Sequence, residues 1–146
     1  MANGETAHEL VVQILKSRMA FRQTVQRMLK QHNMDMTFEM LQIMYRLWIE
    51  QGVSQQFLAE KTAKDKACLT NLINNLERKG WVKREENPVD RRNRLVYLTR
   101  EGDELREQAL PLLHTIYEKV GDKISLSQLE SCNKQLKKLN DVLNEI

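Results

Sequence analysis

The stretch from Gly52 to Gly102 constrains this chain more than any other part of it. It reads GVSQQFLAEKTAKDKACLTNLINNLERKGWVKREENPVDRRNRLVYLTREG. Leu69, Leu72, Ile73 and Leu76 recur at the spacing of one helical stripe, and Gly80 follows as a stop signal. That pattern predicts a helix starting near Lys64 or Asp65 and running to Lys79. A shorter helix is predicted from Ser54, its N-cap, to Thr62, with Phe57, Leu58 and Thr62 facing inward. Trp81–Glu85 has the composition of a strand, and Leu95-Val96-Tyr97-Leu98 alternates as its partner. Between the two strands lies Glu86–Arg94, with turn residues at one end and three Arg at the other.

Helix, turn, helix, strand, basic loop, strand is the order of a winged helix-turn-helix, which lays one helix in a DNA major groove and a basic hairpin in the neighbouring minor groove. Opposite the apolar stripe, the second helix carries Lys64, Ala67, Asn71, Asn74 and Arg78, with no carboxylate among them. Asn can make paired hydrogen bonds to an adenine edge, and the cations suit phosphate or guanine. An isolated helix with such a face could equally be an ordinary solvated one; the strand pair and its Arg-bearing turn favour DNA. Lys64, Lys66, Ala67, Thr70, Asn71 and Asn74 are therefore the expected base or nearby phosphate contacts. Ser54 and Gln55, at the start of the preceding helix, are expected to hold phosphate through hydroxyl, amide and backbone N–H. In the hairpin, Asp90 is expected to form a wing salt bridge with Arg92. Arg91 is then left for the minor groove and Arg94 for the DNA backbone.

The run LAEKT…LTNLINNLERKGWVKREENPVDRRNRLVYLTREG resembles the MarR family of bacterial transcription regulators, most specifically at Asp90-Arg91-Arg92, Leu98-Thr99 and Gly102. It departs from many members at Asn87-Pro88-Val89, where they carry a further charged pair. The resemblance extends in layout to the whole chain. It implies a single domain over residues 1–146, mainly α with a small β-wing. Residues 37–98 would form the winged-helix reader, and 7–31 and 99–146 the terminal helices of a dimerisation bundle. It also implies a small-molecule pocket between reader and bundle, often for aromatic or phenolic compounds, for which Phe21, Tyr45, Trp48 and His114 are the candidate lining residues.

The flanking sequence agrees with that layout. Ala7 to Gln31 is predicted as a long helix after a frayed stretch 1–6, with Ala7, Val11, Ile14, Phe21, Val25 and Met28 at steps of three and four. Thr37 is placed to cap a helix running to Glu50, and Val53 to add a minimal third strand to the wing. Met34, Met36, Met40 and Met44 are expected to fill core space rather than to line a pocket. A helix capped by Thr99 is expected to reach Val120 with a kink at Pro111, and Gly121-Asp122-Lys123 to break the chain. The last helix starts with overlapping capping boxes, Ser125…Gln128 and Ser127…Glu130. It stays apolar from Leu126 to Ile146, which suggests burial against a second copy.

Composition narrows the function classes. The chain has 146 residues with 41% apolar and 29% charged, and its net charge is only +3. The distribution is more telling: residues 61–94 hold ten Lys or Arg against five Asp or Glu, so the remainder is slightly acidic. Positive charge concentrated on the reader is what a phosphate-binding footprint requires. Cys68 and Cys132 stand far apart, and His8, His32 and His114 are scattered, so neither a disulfide scaffold nor a metal site is expected. Cys68 is read as a small helix filler in preference to a redox sensor. The start MANGETAHELVVQ lacks the basic and apolar regions of a signal peptide, and no apolar run is long enough to cross a membrane; a cytoplasmic location is expected. No nucleophile–base pair or Gly-rich phosphate loop is visible, so no enzyme and no cofactor are expected. The leading expectation is a homodimeric, sequence-specific repressor or activator on double-stranded DNA. The alternative is a winged-helix protein-interaction module that does not read DNA.

Overall fold

The first helix, α1 (Ala2–Gln31), begins earlier than the sequence predicts and runs through Gly4, whose cost of about 1 kcal/mol relative to Ala does not stop it. Thr6 Oγ1 returns to the Ala2 carbonyl at 2.9 Å, and Glu5 lies in the first turn, where the helix dipole favours an acid. The computed structural model describes residues 2–146 and divides them at Ala109/Leu110 into two compact units. Met1, part of the stretch expected to fray, lies outside the described residues.

In the first unit the end of α1 is bound to α2 (Phe38–Ile49) through side chains as well as packing. Gln26 accepts from Phe38 N–H at 2.9 Å and donates to the Met36 carbonyl at 3.4 Å. Thr37 caps α2 as predicted, accepting from Met40 N–H at 3.2 Å. Phe21 meets Phe38 edge-on with ring centroids 5.7 Å apart. Met34, Met36, Met40 and Met44 are all buried; Met44 fills core space as expected, whereas the other three also border a cavity beside the α1–α2 connection.

Arg22 Nε lies 2.8 Å from Glu39 Oε1. Partial burial works to raise the Glu39 carboxyl, but the Arg22 hydrogen bond, a backbone contact and the Coulombic pull of Arg22 and Lys64 outweigh it; its pKa falls below the ordinary value. A depressed carboxylate contributes stability that is fully present above its unfolded value of about 4.3 and is lost as pH falls through the folded value. Arg22→Ala should therefore lower the melting temperature slightly at pH 7 and change little below about pH 3, so that part of the acid dependence between about pH 5 and pH 3 disappears. Identical melting-versus-pH curves for the two proteins would contradict it.

Gly52, at φ +72°, turns the chain from α2 into β1 (Val53–Ser54), and Ser54 caps α3 (Gln55–Thr62). α4 (Lys66–Arg78) follows, then Gly80 at φ +77° and the hairpin β2 (Val82–Glu85) and β3 (Leu95–Leu98). The sheet order is β1-β3-β2, antiparallel throughout, with Val53 opposite Val96 and Val82 opposite Leu98. Leu58, Leu69, Ile73, Leu76, Val82 and Val96 close the core against Ile43, Met44 and Leu47 of α2 and Val25 and Leu29 of α1.

The Leu98-Thr99…Gly102 signature has a packing explanation. Thr99 N–H donates to the Trp81 carbonyl at 3.0 Å, and its hydroxyl donates to the Gly80 carbonyl at 2.6 Å while accepting from Gly102 N–H at 3.1 Å. Gly102 lies in α5 (Arg100–Glu104) so close to the strand that a Cβ there would stand 2.0 Å from the Trp81 carbonyl oxygen. Its own carbonyl accepts from Trp48 Nε1 at 2.9 Å.

The helix expected from Thr99 to Val120 is interrupted at Leu105, and Pro111 lies inside the next helix, α6 (Arg106–Lys123). Gln108 N–H bonds to the Leu105 carbonyl at 3.1 Å, a tightened turn two residues upstream of Glu107, the carbonyl to which Pro111 cannot donate. Gly121-Asp122-Lys123 does not break the chain. The helix continues through it and Ile124 N–H still reaches the Val120 carbonyl at 3.0 Å, since an interior Gly costs only about 1 kcal/mol relative to Ala. In the second unit α7 (Leu126–Glu145) opens on the Ser125/Gln128 capping box, whereas Ser127 and Glu130 fall inside the helix. No residue of α7 is buried.

Candidate nucleic-acid interface

The reader depends on how α4 begins. Asp65 is its N-cap, accepting from Cys68 N–H at 2.7 Å, and Ala63 turns the chain in the left-handed region at φ +53°. The helix therefore starts two residues after Lys64. Lys64, expected on its contact face, instead sits in the turn, half-buried and close enough to α2 to act on Glu39. Lys66 is the first helical cation, exposed beside Ala67. Cys68 is exposed and so does not fill core space.

Asn71 projects from the exposed side of α4, one turn from Ala67. Asn74 is also exposed, but its Oδ1 accepts from Arg84 Nη2 at 2.8 Å, which leaves the amide N–H₂ as its outward group. Thr70 Oγ1 donates to the Lys66 carbonyl at 2.8 Å.

Arg84 is the residue that sequence reasoning missed. Its side chain is only 9% exposed, and from β2 its fork reaches two further elements, α3 and α4. Nε donates to Gln55 Oε1 at 2.7 Å, Nη2 to the Thr70 carbonyl at 3.4 Å, and Nη1 lies 3.5 Å from Glu77 Oε1. Gln55 completes the circuit by donating Nε2 to Thr70 Oγ1 at 3.4 Å. Gln55, expected to bind phosphate, is thus spent on joining α3, α4 and β2, and the Ser54 hydroxyl accepts from Phe57 N–H at 3.0 Å as a cap. One signal was available: Arg84 shares the inward face of β2 with buried Val82, two residues away, while Lys83 and Glu85 face out.

The wing differs from expectation in its ion pair. Asp90 accepts from the backbone N–H of Arg92 at 3.1 Å, and its carbonyl accepts from Asn93 N–H at 3.1 Å. This Asx turn satisfies the carboxylate locally, so no guanidinium is needed to fix the tip. Among the described residues no carboxylate lies within salt-bridge distance of Arg92, and Arg91 makes only a loose contact with Glu86 at 3.7 Å. Both Arg91 and Arg92 are exposed.

These pieces form a concave corner. A cavity of about 410 Å³ opens between the wing tip and the starts of α3 and α4, lined by Gln56, Lys66, Arg91, Arg92 and Arg94 with Asp90 as the one acid. Four cations converging on a hollow from two elements make a seat for phosphate.

Of the four effector candidates, Phe21 meets Phe38 edge-on, buried Trp48 is hydrogen-bonded to Gly102, Tyr45 is exposed, and His114 is an exposed residue of the second unit. Among the described residues no group of three His, Cys, Asp or Glu could hold a metal, and no helix is long and apolar enough to cross a membrane.

Comparison with known proteins agrees with this geometry. Residues 37–93 match the MarR family. Transcriptional regulator HosA of Escherichia coli O111:H- is 31% identical over 101 residues, covering 68% of this chain and 75% of that protein. HTH-type transcriptional regulator SarZ of Staphylococcus haemolyticus is 30% identical over 105 residues, covering 72% and 67% respectively. The fold is similar to that of S. aureus MepR in complex with DNA (TM-score 0.81, 23% identity, covering 93% of this chain and 97% of that one). It is equally similar to reduced AbfR bound to DNA (TM-score 0.81, 20% identity, covering 99% and 96%). With a winged helix-turn-helix whose wing, recognition helix and Leu-Thr…Gly lock are all in place, this chain belongs to the MarR family of DNA-binding transcriptional regulators.

Proposed function

We propose that the protein acts as a cytoplasmic homodimeric repressor with no enzymatic activity. Its two readers would occupy successive major grooves of a near-palindromic operator, about 10 base pairs centre to centre. The cationic corner shared by Lys66 and the wing carries this reading, because it would grip phosphate beside the groove that Asn71 enters. Asn71 and the free amide N–H₂ of Asn74 are assigned to base edges, and Lys66 and Arg94 to the backbone. Arg91 and Arg92 are assigned jointly to the minor groove, since Asp90 holds neither guanidinium.

Dimerisation is supported by apolar surface that the single chain leaves open. Leu15 and Met19 of α1 are 59% and 62% exposed, and Leu126 and Leu143 of α7 are 72% and 54% exposed. Such surface on an ordinary monomer marks an interaction site. Release by a small aromatic effector remains part of the proposal on family grounds, with no lining residue assigned.

Selection of bound sequences from a random DNA pool tests the reading. Asn71→Ala should flatten preference at one operator position and cost about 1–3 kcal/mol on the preferred site. Lys66→Ala should weaken all sequences alike and lower the salt slope by about one. An unchanged ranking of operators in the Asn71 variant removes it from base reading. A pool that yields no enriched sequence would favour a protein-interaction module instead.

A further inference from the structure

A second cavity, of about 540 Å³, lies at the opposite end of α4 from the corner just described. Its walls are the last turn of α1, the connection into α2 and the last turn of α4. Α4 rises about 18 Å between its two ends, so phosphate held by Lys66 does not reach it. The volume is ordinary for a small-molecule site.

The lining has two parts. Met34, Met36 and Met40, all buried, supply the apolar side. Lys30, Arg78 and Lys79 supply three cations against a single carboxylate, Asp35. Cations in the last turn of a helix often serve only to offset its dipole, and two helices end here. Each end is worth about −0.5 charge, while the start of α2 adds about +0.5. Set against a side-chain surplus of two positive charges, this leaves the cavity net positive by more than one unit.

Asp35 shows where an anion would sit. Its carboxylate pairs with Lys79 Nζ at 2.6 Å although its side chain is 96% exposed, and Lys79 also rests over the Trp81 ring at 5.1 Å. An exposed pair of this kind is worth little and exchanges readily. Arg78 is occupied by the Asn75 side chain, and Lys30 has no carboxylate within salt-bridge distance among the described residues. No aromatic ring lines the hollow, so nothing offers a stacking face. Methionine is unbranched and adapts to a flexible guest.

We propose that this cavity binds an aliphatic carboxylate of medium chain length, its head group between Lys30 and Lys79 in place of Asp35 and its chain on the three methionines. The site stands apart from the DNA reading, since binding can be followed on the protein alone. Occupancy would bear on the last turn of α4 and so alter the seat of the reader.

The test is a titration of the full chain, ¹³C-labelled at the methionine methyls, with octanoate below its micelle concentration. The signals of Met34, Met36 and Met40 should shift together and saturate, while that of Met19, exposed on α1 and outside the cavity, stays put. Lys30→Gln combined with Lys79→Gln should weaken binding at least fivefold, and Asp35→Asn, which removes the competing carboxylate, should strengthen it. Circular dichroism verifies that each variant is folded. Unmoved signals for the three methionines would overturn the site. Equal shifts with octanol, or undiminished octanoate binding in the double variant, would overturn the carboxylate assignment.

Discussion

Gly102→Ala is expected to be the most damaging small substitution in the reader. The added methyl would stand 2.0 Å from the Trp81 carbonyl oxygen, a backbone atom that cannot swing aside. Relief requires α5 to lift from the strand, which strains the three hydrogen bonds of Thr99 and the buried bond from Trp48 Nε1 to the Gly102 carbonyl. Overpacking alone costs about 1–3 kcal/mol. A strained buried hydrogen bond adds about 1 kcal/mol. Taken as about 3 kcal/mol in total, this lowers the melting temperature by roughly 10 °C for a domain of this size. Gly121 provides the control. It is helical with nothing within 4 Å of a built Cβ, so Gly121→Ala should leave stability unchanged or raise it by up to about 1 kcal/mol. Thermal melting of the two variants decides the matter, and equal melting temperatures would refute the steric account.

Arg84→Ala should couple stability to DNA binding. The guanidinium is a positioning group: it ties β2 to the start of α3, to the Thr70 carbonyl, and to Asn74 and Glu77 of α4. Removing it leaves Gln55 Oε1 without its donor, and lets Asn74 rotate so that its amide no longer presents N–H₂ outward. A hydrogen bond to a charged group contributes about 1.5–3 kcal/mol, and the four contacts are not additive, so a loss of about 3 kcal/mol is expected. Operator affinity should fall by about a hundredfold, because both wing and recognition helix lose their common anchor. Arg84→Lys should not rescue it, since a single ammonium cannot span Gln55 and Asn74 together. A stability loss with discrimination between operators intact would show that Arg84 only holds the fold. Wild-type affinity in Arg84→Lys would show that charge, not the fork, is what matters.

The reader was legible in the chain because its cues are local. Ser54, Thr37 and Ser125 each precede an apolar-periodic run and each caps a helix; Gly80 stops α4 in a left-handed turn. Strand alternation gave the hairpin, and charge clustering in residues 61–94 gave its purpose. The start of α4 lies one to two residues beyond the expected Lys64 or Asp65, because the Asp65 side chain is needed as the cap and Lys64, read as part of the helix face, falls in the turn. The break expected at Gly121 was misjudged for another reason: Gly is a strong stop cue in isolation, but a helix accommodates it when its cost is small.

By itself, then, the order of residues determined which segments become helix and strand, where they are capped, and on which elements the positive charge gathers. Backbone sterics and hydrogen-bond satisfaction act over three or four residues, which is the range a sequence pattern can express. Which polar groups face each other across elements was decided only by tertiary structure. Gln55, Thr70, Asn74, Glu77 and Arg84 meet because α3, α4 and β2 close on one core, and that closure turned an expected phosphate ligand into an internal strut. The Asp90 carboxylate was likewise claimed by a backbone N–H before either guanidinium, since a donor two residues away costs less chain entropy to engage than a long, mobile arginine.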